Sequence, residues 1–207
     1  LLTNFSNNDR LPTALWEVAQ CCRKLNKFDT LDEFCQYALD TGGQGEYTLW
    51  PLVGKAMSAI GLNDYNSVDG ILTTLTTAYE QHPYIANALA MIGEEYYAKG
   101  VLLKEEGLKS KALLQIQKSI STLELAVSFT TINNAASIYY LYGLILDRCG
   151  YFAKAAEAYE NSYKADAGFI YADYCLFGSV RCYAKLAQTG KMPFNEALYK
   201  ACQSSDE

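Results

Sequence analysis

Glycine recurs in this chain as three pairs with one spacing: Gly54 and Gly61, Gly93 and Gly100, Gly143 and Gly150. Each pair lies in a stretch whose other residues read as helix. A glycine inside a helix costs about 1 kcal/mol relative to alanine, so its repeated placement asks for a steric reason. A helical hairpin repeated along the chain supplies one. The first glycine of each pair then admits a neighbouring helix at close range, and the second turns the chain between helices.

The rest of the sequence agrees with helix throughout. Apolar residues recur at i, i+3, i+4 and i+7, with no sustained two-residue alternation. Ala88 to Tyr97, Ser137 to Asp147 and Ala153 to Lys164 are the clearest cases. The four prolines fall at plausible boundaries: Pro12 and Pro51 suit first helical turns, and Pro83 and Pro193 suit loops. These features predict an all-α fold.

Composition narrows the partners. At 207 residues the chain can bury a substantial core, as one domain or one continuous array. A net charge of −6 and a pI near 4.9 argue against electrostatic binding of nucleic acid. No apolar run is long enough for insertion into a membrane. Seven cysteines form no disulfide-like framework, and no C-x-x-C spacing points to zinc or thiol exchange. Small buried thiols suit a reducing compartment, the cytoplasm foremost, with an organelle also open. The first residue is leucine, which is expected of a processed product or an excised fragment.

Setting the glycines in register brings Ala19, Gly54, Gly93, Gly143 and Gly178 into line. The fullest unit runs from Ala136 to Ala167, where Tyr139, Tyr142 and Gly143 precede Leu146 and Gly150, and Ala155, Tyr159 and Ser162 follow. It resembles the tetratricopeptide repeat, whose pattern is W-x2-L-G-x2-Y followed by A-x3-F. Weaker units carry Trp50, Val53, Gly54 and Met57; Leu89, Ile92, Gly93 and Tyr96; and, at the ends, Leu15, Val18, Ala19 and Cys22, and Tyr174, Phe177, Gly178 and Arg181. The resemblance implies a right-handed superhelix of antiparallel helix pairs in a single domain, residues 1–207. Its units fall near 12–45, 47–84, 86–131, 136–169 and 171–207. The second unit is expected to carry extra residues between its helices near Asn63 to Ser67. The third should carry more across Val101 to Lys118, as lengthened, solvated helix ends.

In that family the first helix of each unit lines a concave groove. Carried onto this chain, the groove positions include Trp16 and Gln20, Lys55, Asn87, Met91, Glu94 and Tyr97, then Tyr140 and Leu144. The last unit would add Cys175 and Ser179, while Tyr96, Tyr159 and Tyr174 would fill the volume between helices. Some relatives clamp an acidic chaperone tail between lysine, arginine and asparagine side chains. No register here supplies that set; from the first unit the clamp positions are Trp16, Gln20, Leu52, Asn87 and Met91.

Nothing in the sequence calls for catalysis. The one histidine, His82, precedes Pro83 in an expected turn. No phosphate-loop, dinucleotide or nucleophile-elbow motif occurs. Gly42-Gly43-Gln44-Gly45 lacks the lysine of a phosphate loop and reads as a linker. We expect no catalytic residue, metal or cofactor. The expected function is protein–protein interaction, as a subunit or segment of a larger assembly holding a partner peptide or helix in the concave groove. The alternative is a regulatory or accessory domain of a larger multidomain protein. The sequence leaves the oligomeric state open.

Overall fold

The structure, a computed structural model, describes residues 11–41 and 48–205; the side chains of 11–16, 41 and 204–205 lie outside that description. The glycine-rich linker at 42–45 and the chain end at 206–207 therefore lie outside the described residues. Among the described residues there are ten helices and no strand. They form five consecutive pairs: α1 (Leu11–Leu25) with α2 (Phe28–Thr41), α3 (Leu49–Leu62) with α4 (Tyr65–Ala78), α5 (Ile85–Glu105) with α6 (Lys109–Ser128), α7 (Ala135–Arg148) with α8 (Phe152–Ala165), and α9 (Ala172–Gln188) with α10 (Phe194–Ser205). The fold is all-α, as expected. It gathers into two compact units, residues 1–122 and 123–207.

All five pairs reverse direction by one device. A residue in the left-handed region ends the first helix: Asn26, Asn63, Gly107, Gly150 and Gly190, with φ between 53° and 81°. The next N–H then reaches back five residues, from Lys27 to the Cys22 carbonyl, Asp64 to Ala59, Leu108 to Leu103, Tyr151 to Leu146 and Lys191 to Leu186, at 2.8 to 3.0 Å. This is the Schellman closure, which satisfies carbonyls that the helix end would otherwise orphan. Glycine occupies such a position without strain, and asparagine is among the few other residues that visit it. In the second pair Asp64 continues the turn by capping α4, its carboxylate accepting from the Ser67 N–H at 3.3 Å.

These turns correct the division of labour expected of the glycine pairs. Only Gly150 turns the chain. Gly61 and Gly100 are buried inside α3 and α5. A Cβ at 61 would fall inside the Phe28 ring of α2, and one at 100 would lie 2.8 Å from Ile116 Cγ1 of α6. Both glycines therefore serve helix contact. The extra residues expected near Asn63 to Ser67 are also absent from the connection between α3 and α4, because α4 already begins at Tyr65. The lengthening at 101–118 is helical: α5 has 21 residues and α6 has 20, against 14 in each of α2, α3, α4, α7 and α8.

In the first unit α3 is central, packed against α1, α2, α4 and α5. Its small residues explain that position. Gly61 receives the Phe28 ring, and the buried Ser58 hydroxyl donates to the Phe28 carbonyl at 2.7 Å. In the second unit the same principle is concentrated on Tyr159 of α8, which is fully buried. Its ring lies between two glycines: a Cβ at Gly143 of α7 would approach it to 2.9 Å, and one at Gly178 of α9 to 2.8 Å. Alongside, Ser162 donates to the Ala136 carbonyl at 2.7 Å, and the Cys175 thiol donates to the Ser162 hydroxyl at 3.3 Å. Three helices thus close on one aromatic ring at distances that only glycine permits.

Gly143→Leu forces a branched side chain into the Tyr159 ring. Overpacking of this kind costs about 1–3 kcal/mol. We expect the melting temperature to fall by at least about 3 °C, and a Tm within about 1 °C of the parent contradicts the packing described.

Candidate functional site

The groove positions carried over from the repeat register fall on both units, and the two sets differ in chemistry. In the first unit Gln20 lies on α1, Lys55 on α3, and Asn87, Met91, Glu94 and Tyr97 on α5, all of them half-buried. Trp16 belongs to α1, but its side chain lies outside the described residues.

These side chains are largely held by neighbours. Arg23 of α1 reaches α5 and grips buried Glu95 with two donors, Nε to Oε1 at 3.1 Å and Nη2 to Oε2, while its Nη1 donates to Gln20 Oε1 at 2.9 Å. A bidentate guanidinium–carboxylate pair of this kind fixes geometry as well as charge. Lys55 pairs with Asp32 of α2 at 3.0 Å and donates to Gln36 at 2.9 Å, so its ammonium is occupied by its own chain. Lys99 donates to the Gly61 carbonyl at 3.0 Å, and burial lowers its pKa.

Glu94 differs from its neighbour. Arg23 makes its bidentate grip on Glu95. Burial pushes the Glu94 carboxyl up to about 7; Arg23 opposes that shift and Glu95 adds to it. Glu95 is also raised by burial, against the Arg23 hydrogen bond. For Glu94 the sign follows from linkage. A carboxyl whose folded pKa lies above its ordinary 4.5 binds more protons folded than unfolded, so stability falls as pH rises from about 4.5 to about 7.

In the second unit the face is aromatic. Tyr140 of α7 stacks on Tyr171 with ring centroids 4.7 Å apart and planes 13° apart. It meets Phe169 and Tyr174 edge-on at 5.9 and 5.7 Å. Leu144 lies one turn further along α7, half-buried. Beyond them Ile170 is 83% exposed and Phe177 63% exposed. Arg181 of α9 sits over the rings of Tyr174 and Phe177 at 5.8 and 5.9 Å and pairs with Asp147 of α7. Its guanidinium is thereby held as a bridge between helices.

Tyr140 and Leu144, expected on the groove, lie half-buried on α7, and most of the rings around Tyr140 were not among the expected groove residues. Tyr174, expected as a filler of volume, meets the Tyr159 ring edge-on at 6.0 Å and is also 36% exposed, while Cys175 and Ser179, expected on the groove, are buried. The available signal was density: Phe169, Tyr171, Tyr174 and Phe177 put four aromatic rings within nine residues.

His82 lies in the turn before α5, where its Nδ1 accepts from the Tyr84 N–H at 3.2 Å. The seven cysteines are free thiols, and burial pushes those of Cys35 and Cys182 up to about 12. Thiols so raised stay protonated and unreactive. Among the described residues no three His, Cys, Asp or Glu side chains stand where they could share a metal ion, and no helix is long and apolar enough to cross a membrane.

Glu94→Gln removes the carboxyl that ionises at a cost in the fold. The variant should be more stable than the parent at about pH 8, by roughly 2–4 °C in Tm, and no more stable near pH 4. An equal change at both pH values contradicts the assignment.

No family model matches the chain, and no curated protein matches it either. Among solved structures the crystal structure of MamA protein is similar, at 20% sequence identity with a TM-score of 0.45, over 95% of this chain and 93% of its own.

Proposed function

We propose that this chain is a non-catalytic protein-interaction scaffold of the tetratricopeptide type, a subunit or segment of a larger assembly. Its partners would be other proteins, held as a peptide or helix against the first helices of the pairs. The observation that supports this reading most directly is the aromatic face of α7 and α9. Tyr140 packs against Tyr171 and Tyr174, and Arg181 lies over the rings of Tyr174 and Phe177, which holds the group in place, yet much of its surface meets solvent. Rigid aromatic side chains lose little conformational entropy on binding and recur as the anchors of protein interfaces.

The charged residues favour the same reading. Arg23 with Glu95, Lys55 with Asp32 and Arg181 with Asp147 are arginines, lysines and acids joined between helices. Groups fixed in this way set the relative positions of helices. They present no nucleophile beside a base, which is the arrangement that covalent or acid–base catalysis needs.

Affinity purification of the full-length protein, read by mass spectrometry, tests the proposal. The parent should recover a reproducible stoichiometric partner. Tyr171→Ala with Phe177→Ala should lose that partner while the Tm stays within about 3 °C of the parent. Undiminished recovery by the folded double variant removes the aromatic face from the function.

A further inference from the structure

Glu94 of α5 is a half-buried acid that the packing leaves without a counter-ion of its own. It stands beside the Arg23–Glu95 grip, where two carboxylates have one guanidinium between them. Each of the three Arg23 nitrogens already donates, Nε and Nη2 to Glu95 and Nη1 to Gln20. Lys55 is held by Asp32 and Gln36, and Lys99 by the Gly61 carbonyl. Glu94 itself enters no hydrogen bond or ion pair among the described residues. Burial raises its carboxyl, as it does wherever an ionised acid lacks an adequate partner.

The residues flanking Glu94 indicate which cation fits. Met91 lies one turn before it and Ala98 one turn after, both half-buried, so the carboxylate is set in an apolar strip of α5. Lysine and arginine combine an aliphatic stem with a charged head, and the stem covers apolar surface while the head reaches an acid. A metal ion suits the place less well. It needs several oxygen ligands, yet Glu95 is taken by Arg23, and among the described residues no three His, Cys, Asp or Glu side chains could share one. An acidic segment fits worse still, because Arg23 and Lys55 are already paired.

We propose that Glu94 receives a lysine or arginine side chain of a partner protein, with Met91 and Ala98 against the aliphatic stem of that side chain. The incoming cation gives the second carboxylate its own partner, in a half-buried place where the pair is screened less than at an open surface. The proposal rests on the scaffold reading and adds to it a contact in the first unit, apart from the aromatic face.

The probe is the blocked tripeptide acetyl-Gly-Arg-Gly-amide. Its controls carry citrulline, which keeps the shape and loses the charge, or glutamate in place of arginine. The readout is the methionine methyl spectrum of the isotope-labelled full chain at about pH 8, above the Glu94 value of about 7. The chain has three methionines. Met91 lies one turn from Glu94, Met57 is fully buried in α3, and Met192 lies between α9 and α10 of the second unit. The arginine peptide should move the Met91 signal saturably, with a dissociation constant on the order of 1–10 mM, and leave the other two in place. Both control peptides should bind at least about tenfold more weakly. Raising salt from about 0.05 M to about 0.3 M should weaken the arginine peptide. Glu94→Gln should abolish the shift while its Tm shows it folded, and Glu33→Gln, at an exposed acid of α2, should bind as the parent does. Absence of a saturable Met91 shift, an equal shift with citrulline, or a shift that survives Glu94→Gln overturns the proposal. The tripeptide reports on Glu94 alone, so such a result leaves partner recovery through the aromatic face standing. Loss of that recovery with the Met91 shift intact counts against the scaffold reading instead.

Discussion

A single backbone event, the left-handed residue that closes the first helix of each pair, decides how this chain can fold. Five times the helix ends on such a residue, and five times the following N–H returns to a carbonyl five positions back. Reversal within two to five residues leaves the second helix beside the first, and the apolar stripes of both must then be covered by the next pair. The three glycines at these positions face open space, so their identity is set by the backbone and by nothing around them. A second class of glycine does the opposite work. Gly61, Gly100, Gly143 and Gly178 have ordinary helical backbones and are needed because a ring or side chain occupies the place of a Cβ.

Once helices are locked at this range, the ionisable residues serve as links between them. Arg23 reaches from α1 to α5, Lys55 from α3 to α2, and Arg181 from α9 to α7. The exposed apolar surface of the second unit is aromatic, around Tyr140, Tyr171, Tyr174 and Phe177. It is the surface on which the proposed interaction role rests.

The helices were legible because apolar spacing reports a buried stripe directly. The closing turns were only partly so. Asn63 adopts the left-handed conformation that Gly61 was expected to supply, Asn26 does so in the first pair, and in sequence both look like ordinary polar residues. Gly61 and Gly100 were read as turns because a lone glycine near a helix end does not say whether its torsion or its missing side chain is in use. At the candidate site, the repeat register pointed to Tyr140 and Leu144 on α7 but not to the rings around them. Tyr174, expected to fill volume, does meet the rings of Tyr140 and Tyr159, and it leaves part of its own surface exposed as well. The Arg23–Glu95 grip joins residues 72 apart, a separation that no local pattern reports.

The account depends on glycine having two distinct causes, backbone torsion at the turns and steric room within the helices. One substitution at two open positions separates torsion from everything else. Gly150 (φ 81°) and Gly70, inside α4, both have nothing within 4 Å of an added Cβ. The unfolding free energy of Gly150→Ala, measured beside that of Gly70→Ala, therefore reads torsion alone. We predict opposite signs: a loss of about 1–2 kcal/mol at 150, where the left-handed turn is strained by a side chain, and a gain of about 0.5–1 kcal/mol at 70, where alanine favours the helix. Changes of the same sign at both positions would contradict the left-handed closure on which the five pairs rest.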